Sequence, residues 1–120
     1  MTKPVNINLH QQSRVLEIEF DDGKQFKYTT EFLRVHSPSA EVQGHGPGEE
    51  KLQVGKEDVN ITAIEPVGHY AIKLVFDDNH DSGLYSWQYL YDLGVNYDAK
   101  WQNYLDRLKE AGKPHKSTAN

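Results

Sequence analysis

The stretch that decides the fold is residues 16–28, which read LEIEFDDGKQFKY. Apolar side chains alternate with glutamates from Leu16 to Phe20, and this period of two is typical of a β-strand with one solvent-facing side. The pair Asp22-Gly23 follows, and such a pair favours a tight hairpin because glycine accepts a positive φ. Residues 24–28 provide the return strand. The sequence therefore predicts a β-hairpin in the first quarter of the chain.

Similar patterns lie on both sides of this hairpin. Alternation from Val5 to Leu9 predicts a preceding strand, and residues 61–66 and 70–76 predict two more. A short strand is also predicted at residues 51–54. Asp77-Asp78-Asn79 takes the place in the second half that Asp-Asp-Gly takes in the first, because asparagine also tolerates a left-handed backbone. Two interpretations stay open: an internal duplication, or the common occurrence of hairpins followed by helices.

Three helices are predicted from capping residues and from the spacing of apolar side chains. Thr29 or Thr30 can cap a short helix near residues 30–35, and Ser86 can cap a second helix that Gly94 ends. The last helix begins at Asp98 and carries an apolar stripe at i, i+3, i+4 and i+7. That stripe consists of Trp101, Tyr104, Leu105 and Leu108.

These elements predict an α+β fold with small antiparallel sheets, a short helix near residues 30–35 and two C-terminal helices. A length of 120 residues suits one domain with a single core. We expect this domain to span residues 1–112. Residues 113–120 are expected to form a flexible tail, because Gly112 and Pro114 end the last helix.

The composition excludes several classes of function. The chain contains no cysteine, which excludes disulfides, thiolate metal sites and cysteine nucleophiles within it. A formal net charge of -5 without a basic cluster argues against nucleic acid binding. No apolar stretch approaches the ~18 residues of a membrane span, and no apolar leader is visible. We therefore expect a cytoplasmic protein that binds neither nucleic acid nor membrane.

Residues 36–51 form the longest predicted loop, and glycine and proline deny it regular structure. A loop of this length in a small domain is usually functional or disordered. It is a poor phosphate cradle, because Pro47 has no N–H group and Glu49 and Glu50 add negative charge. The loop is a candidate functional segment because it contains histidines and lies directly before the second half of the chain.

Six histidines raise the question of a metal site. None is followed two residues later by Asp or Glu, which is the usual start of an iron site with two histidines and a carboxylate. His36, His45 and His80 can meet only through tertiary folding. Ser82 and Ser86 lack the strand–turn–helix context of a nucleophilic serine. The sequence shows no catalytic constellation, and we expect no enzymatic activity.

Two segments resemble a known domain family. Residues 32–45, FLRVHSPSAEVQGH, resemble the Leu-Arg plus Cys-Pro-Cys-x-x-Cys segment of the gamma-butyrobetaine hydroxylase-like N-terminal domain. Residues 76–87, FDDNHDSGLYSW, look like that family's Asp-Gly-His and following Tyr/Trp segment. The hairpin at residues 16–28 fits the opening of the domain. The likeness covers about residues 5–110 and implies the family's fold.

The resemblance also implies where a metal would lie. In the oxygenases that carry this domain, it precedes a jelly-roll catalytic domain and holds zinc through three cysteines and one histidine; similar domains also lie beside P-loop iron–sulfur cluster carriers. The cysteine positions fall at Ser37, Ser39 and Val42, and the histidine position falls at His80. Hydroxyl and aliphatic side chains are poor zinc ligands. The resemblance therefore implies a stand-alone, zinc-free member without a cofactor.

The leading expectation is a non-catalytic accessory domain that binds an unknown protein partner and is itself a monomer or weak homodimer. Its predicted interaction surface combines the 36–48 loop with the 80–87 segment. That surface consists of Arg34, His36, Gln43, His45, His80, Asp81, Tyr85 and Trp87.

Two alternative functions stay open. One is a metal-binding or iron–sulfur-delivery accessory protein that uses His80 with His36 and His45. The other is a small-molecule-binding protein with a pocket at the loop.

Overall fold

The computed structural model describes residues 2–44, 48 and 50–116. It shows an α+β fold in which two groups of three strands are each followed by helices. The elements are β1 (Pro4–His10), β2 (Val15–Phe20), β3 (Gln25–Thr29), α1 (Thr30–Val35), α2 (Ala40–Gln43), β4 (Ile61–Val67), β5 (Ala71–Phe76), β6 (Leu84–Ser86), α3 (Trp87–Val95) and α4 (Tyr97–Glu110). No helix in these ranges is long and apolar enough to cross a bilayer.

The strands form two antiparallel sheets, in the orders β1-β2-β3 and β4-β5-β6. The predicted hairpin is confirmed, with Ile18 opposite Phe26. Gly23 has a φ of +88° at its turn, and Asn79 has a φ of +69° at the corresponding turn of the second sheet. Both turns therefore use the left-handed backbone that the sequence predicted there.

The two halves also match in their hydrogen bonds. The hydroxyl of Tyr28, the residue before the α1 cap, donates to the Leu90 carbonyl over 2.7 Å. The hydroxyl of Tyr85, the residue before the α3 cap, donates to the Leu33 carbonyl over 2.5 Å. The last strand of each half is thus hydrogen-bonded to a helix of the other half. This reciprocal arrangement favours internal duplication over a chance likeness of hairpins.

One hydrophobic core joins both sheets to α1 and α3. It contains the inward side chains of β2 and β5 and the buried faces of both helices. Phe26 packs against Gly94, where a Cβ atom would collide with the phenyl ring. The sequence predicts that Gly94 ends the second helix, but α3 continues to Val95. The small size of Gly94 serves packing at this point rather than helix termination.

Three local predictions are wrong or incomplete. Residues 51–54 form no strand; the side chains of Arg34 and Tyr104 instead hydrogen-bond to Gln53. α4 begins at Tyr97 after Asn96, so Asp98 lies in its first turn instead of capping it. The 36–51 loop contains the short helix α2, whose N-cap is Ser39. These differences come from long-range contacts and from a cap that propensity alone did not reveal.

Part of the segment at residues 113–120, for which the sequence predicts a flexible tail, packs against the fold. His115 is only 5% exposed, and its Nε2 atom lies 2.6 Å from Glu31 Oε2. Its ring also contacts Trp101 edge to face. Burial raises the pKa of Glu31, while the hydrogen bond and charge of His115 oppose that shift. Residues 117–120 lie outside the described residues.

We expect Tyr28→Phe and Tyr85→Phe each to lower the free energy of unfolding by about 1–2 kcal/mol, because each removes one buried hydroxyl–carbonyl hydrogen bond. Urea denaturation measures this loss. Tyr70→Phe is the matched control, since Tyr70 is 66% exposed. A loss no larger than that of the control would contradict the anchoring role of the two hydroxyls.

Candidate functional site

His80 is the centre of a buried polar cluster between the turn after β5 and the corner between α1 and α2. Its ring is only 3% exposed. Nε2 lies 2.8 Å from Ser37 Oγ, and Nδ1 lies 3.0 Å from Glu41 Oε2. The backbone also holds this residue, because the Phe76 N–H donates to the His80 carbonyl. Both ring nitrogens of His80 are therefore engaged by residues of the α1–α2 corner.

The serines of this corner complete the cluster. The Ser39 N–H donates to Ser37 Oγ over 3.3 Å, and Ser39 Oγ lies 2.7 Å from Ser82 Oγ. Ser39 also caps α2 by accepting from the Glu41 N–H. The structure thus brings together Ser37, Ser39 and His80, three of the four positions that the resemblance assigned to zinc ligands. Val42, the fourth, is buried in α2.

The donor set does not fit zinc. Serine hydroxyls and a valine replace the thiolates that such a site needs, and both nitrogens of His80 already have hydrogen-bond partners. Within residues 2–44, 48 and 50–116, no group of three or more His, Cys, Asp or Glu could hold a metal ion. His36 directs Nδ1 to its own helix, 2.8 Å from the Phe32 carbonyl. His45 lies outside the described residues, so the proposed histidine trio has no support among the others.

A hydrogen-bonded chain runs from Glu41 through His80 to Ser37, in the carboxylate–imidazole–hydroxyl order of a hydrolase catalytic triad. No local sequence pattern predicts this chain, because Ser37 and Glu41 lie 43 and 39 residues from His80. Ser37 is 0% exposed, however, and a Cβ atom at Gly83 would collide with its hydroxyl. A nucleophile must reach the carbonyl of a substrate, and this hydroxyl is enclosed by protein. The triad-like chain therefore links two segments of the fold.

An ion-pair network supports the same turn from the side of α1. Arg34, which is 7% exposed, places Nε 2.9 Å from Asp78 Oδ2, and Lys56 Nζ lies 2.7 Å from the same oxygen. Burial opposes ionisation of Asp78, but the hydrogen bonds and charges of Lys56 and Arg34 outweigh it and lower its pKa. Asp78 Oδ1 also accepts from the His80 N–H. The turn that carries His80 is thus fixed on both sides.

The predicted interaction surface needs correction. Arg34, His80 and Tyr85 are buried, and their polar atoms bond to other parts of the chain. They cannot present a contact surface to a partner. Asp81 is exposed, while Trp87 is half-buried and donates from Nε1 to the His69 carbonyl.

The other predicted surface residues lead to a groove of about 730 Å³ beside α4. His36 and Gln43 line its wall at the α1–α2 corner. The complete lining consists of Val35, His36, Val42, Gln43, Glu50, Lys51, Tyr89, Asn96, Ala99, Lys100, Asn103 and Arg107. The groove is open, and its lining is mixed: the buried Val35 and Val42 lie beside amide and cationic side chains.

One face of α4 supplies the far wall of this groove. Asn96, Lys100, Asn103 and Arg107 follow one another at i, i+4, i+7 and i+11, so they lie on one side of the helix. The regular alternation of amide and cationic side chains along α4 is the sequence pattern that could have predicted this wall.

The charges on α4 influence His36. Burial lowers the pKa of His36, the Phe32 carbonyl opposes that shift, and the nearby Lys100 and Arg107 lower the pKa further. The net effect favours the neutral form of the imidazole ring. Tyr89 donates its hydroxyl to the His36 carbonyl, and burial raises the pKa of Tyr89 to about 12. This wall of the groove is fixed by buried hydrogen bonds.

We expect His80→Ala to lower the free energy of unfolding by about 2–4 kcal/mol, because it leaves a cavity and a buried hydroxyl without its partner. Urea denaturation tests this expectation. His10→Ala is the matched control, since His10 is exposed on β1. A loss for His80→Ala within about 0.5 kcal/mol of the control would show that the cluster does not stabilise the fold.

Comparisons with solved structures support one family. Two NMR solution structures share 54% and 47% identity with this chain. The alignment with the first covers 96% of this chain and 86% of the matched chain, with a TM-score of 0.82. The alignment with the second covers 100% of this chain and 97% of the matched chain, with a TM-score of 0.83. A crystal structure from Acidithiobacillus ferrooxidans ATCC 23270, described as a protein of unknown function of the DUF971 family, is 37% identical. It covers 76% of this chain and 91% of its own, with a TM-score of 0.65.

A search of curated proteins finds no significant match. The family model described as "Gamma-butyrobetaine hydroxylase-like, N-terminal" matches residues 7–91. This range contains the two hairpins, the buried cluster around His80 and the groove residues that precede α4 in the sequence, from Val35 to Tyr89. The chain belongs to the gamma-butyrobetaine hydroxylase-like N-terminal domain family.

Proposed function

We propose that this chain is a non-catalytic accessory domain that binds a protein partner in the groove beside α4. The observation that carries the proposal is a groove in which three of the donor side chains are not needed to hold the fold. Lys100, Asn103 and Arg107 make no side-chain hydrogen bond or ion pair to any described residue. Polar groups placed together on a rigid scaffold, without internal partners, are typical of recognition.

The walls of the groove are rigid enough to act as a binding surface. On one side, Phe32 of α1 stacks on Tyr97 of α4 with ring centroids 4.1 Å apart. On the other side, Gln43 Nε2 donates to the Ser37 carbonyl over 2.9 Å, which joins α2 to the buried cluster. A partner would therefore meet a surface that is largely preorganised, which lowers the entropic cost of binding.

The structure gives different support to the two alternative functions, metal delivery and small-molecule binding. Metal or iron–sulfur delivery receives no support from the described residues, because His36 and His80 direct their ring nitrogens to protein groups. Small-molecule binding is compatible with a groove of about 730 Å³, since ligand pockets span roughly 300–1,000 Å³. Most ligand pockets, however, are lined mainly by apolar and aromatic side chains. The long polar wall of α4 favours a protein segment as occupant.

The proposal includes a cytoplasmic location and a chain that is a monomer or at most a weak homodimer. It uses only part of the surface expected from the sequence. His36 and Gln43 remain in it, and the α4 face replaces Arg34, His80 and Tyr85.

Photo-crosslinking tests this proposal in living cells of the source organism. Benzoylphenylalanine at position 103, in the groove, should give discrete adducts with another protein. The same probe at position 8 is the control, because Asn8 is exposed on β1. Identical adducts at both positions, or none at position 103, would contradict a protein-binding groove. An adduct between two copies of this chain would show that the occupant is a second copy.

A further inference from the structure

We propose that the occupant of the groove is an extended, acidic segment of the partner protein. This inference rests on the proposed function and specifies the chemistry of the partner.

The chain is acidic overall, yet the described lining of this groove carries three cations and one carboxylate. Five basic side chains elsewhere have carboxylate partners: Lys27 with Glu17, Arg34 and Lys56 with Asp78, Lys73 with Glu65, and Lys116 with Asp58. Lys100 and Arg107 have no ion-pair partner among the residues that the structure describes. Lys51 adds a third cation to the lining, and Glu50 is the one carboxylate among the described lining residues. The groove is thus a positive region on a chain of formal net charge -5.

The dimensions of the α4 wall fit an extended peptide. Asn96 and Arg107 lie about 16 Å apart along the axis at 1.5 Å per residue, a length that about five extended residues span. Lys100 and Arg107 lie about 10 Å apart along the helix, which matches two acidic side chains roughly three residues apart. The amide of Asn103 lies between the two cations, where it can bond to the peptide backbone.

An acidic peptide fits this groove better than a nucleic acid strand. Val35 and Val42 also line the groove, and their apolar side chains suit an aliphatic side chain between the two acidic ones. A nucleic acid strand needs a longer basic stripe to displace its counterions. Complementary charge would also raise the association rate and oppose wrong partners.

A phage-displayed library of random heptapeptides tests the inference on the full chain. Selection on the immobilised protein should enrich peptides with two acidic residues around an aliphatic one. The same selection on a Lys100→Glu/Arg107→Glu variant should lose this enrichment. The matched control is Lys24→Glu/Lys27→Glu, which makes the same change of charge at two exposed positions on the first hairpin.

Fluorescence anisotropy with one selected peptide gives the size of the effect. We expect the groove variant to weaken binding by about tenfold or more, since two charge pairs become repulsive, and the control variant to change it by less than about twofold. Circular dichroism shows whether both variants remain folded.

Enrichment of neutral or basic peptides, or tighter binding of oligothymidine at the same groove, would overturn the inference. If position 103 still crosslinks to a partner, the proposed function stands while the acidic chemistry fails. If neither the library nor the crosslinker finds a ligand at the groove, both fail.

Discussion

The hydrogen bond between His80 Nε2 and Ser37 Oγ holds the α1–α2 corner against the second sheet. It joins the turn after β5 to the α1–α2 corner, two segments that no sheet hydrogen bonds connect. Glu41 holds the other ring nitrogen, and Arg34 with Lys56 holds Asp78 in the same turn. α2 is placed by these contacts, and α2 forms one wall of the groove.

The site occupies only one of two equivalent turns. Phe20 donates its N–H to the Lys24 carbonyl in the first half, as Phe76 donates to the His80 carbonyl in the second. Lys24 is exposed on a plain hairpin, whereas His80 is buried under the α1–α2 corner. The two halves thus have the same arrangement of strands and helices, and a tyrosine hydroxyl of each half bonds to a helix of the other. The second half also carries the polar cluster around His80. Where the family resemblance implies a metal, this chain has a set of hydrogen bonds.

Sequence reasoning succeeded where the signal was local. Alternation and turn residues predicted both hairpins, and Thr29 and Ser86 do cap α1 and α3. It failed where a residue acts through a distant partner. Gly94 faces Phe26, and His115 packs on Glu31 and Trp101, contacts that no local pattern contains. The groove could not be predicted because its lining combines one face of α4 with residues such as Val35 and Val42, which lie far earlier in the chain.

Hydrogen bonds, rather than a metal ion, fix the corner at His80. Elemental analysis of freshly purified chain, combined with thermal melting before and after addition of a chelator, can distinguish the two. We expect no stoichiometric zinc and an unchanged Tm, because protein groups already satisfy the ring nitrogens of His80. A tightly bound zinc in each chain, with a Tm that falls by several degrees on chelation, would contradict it.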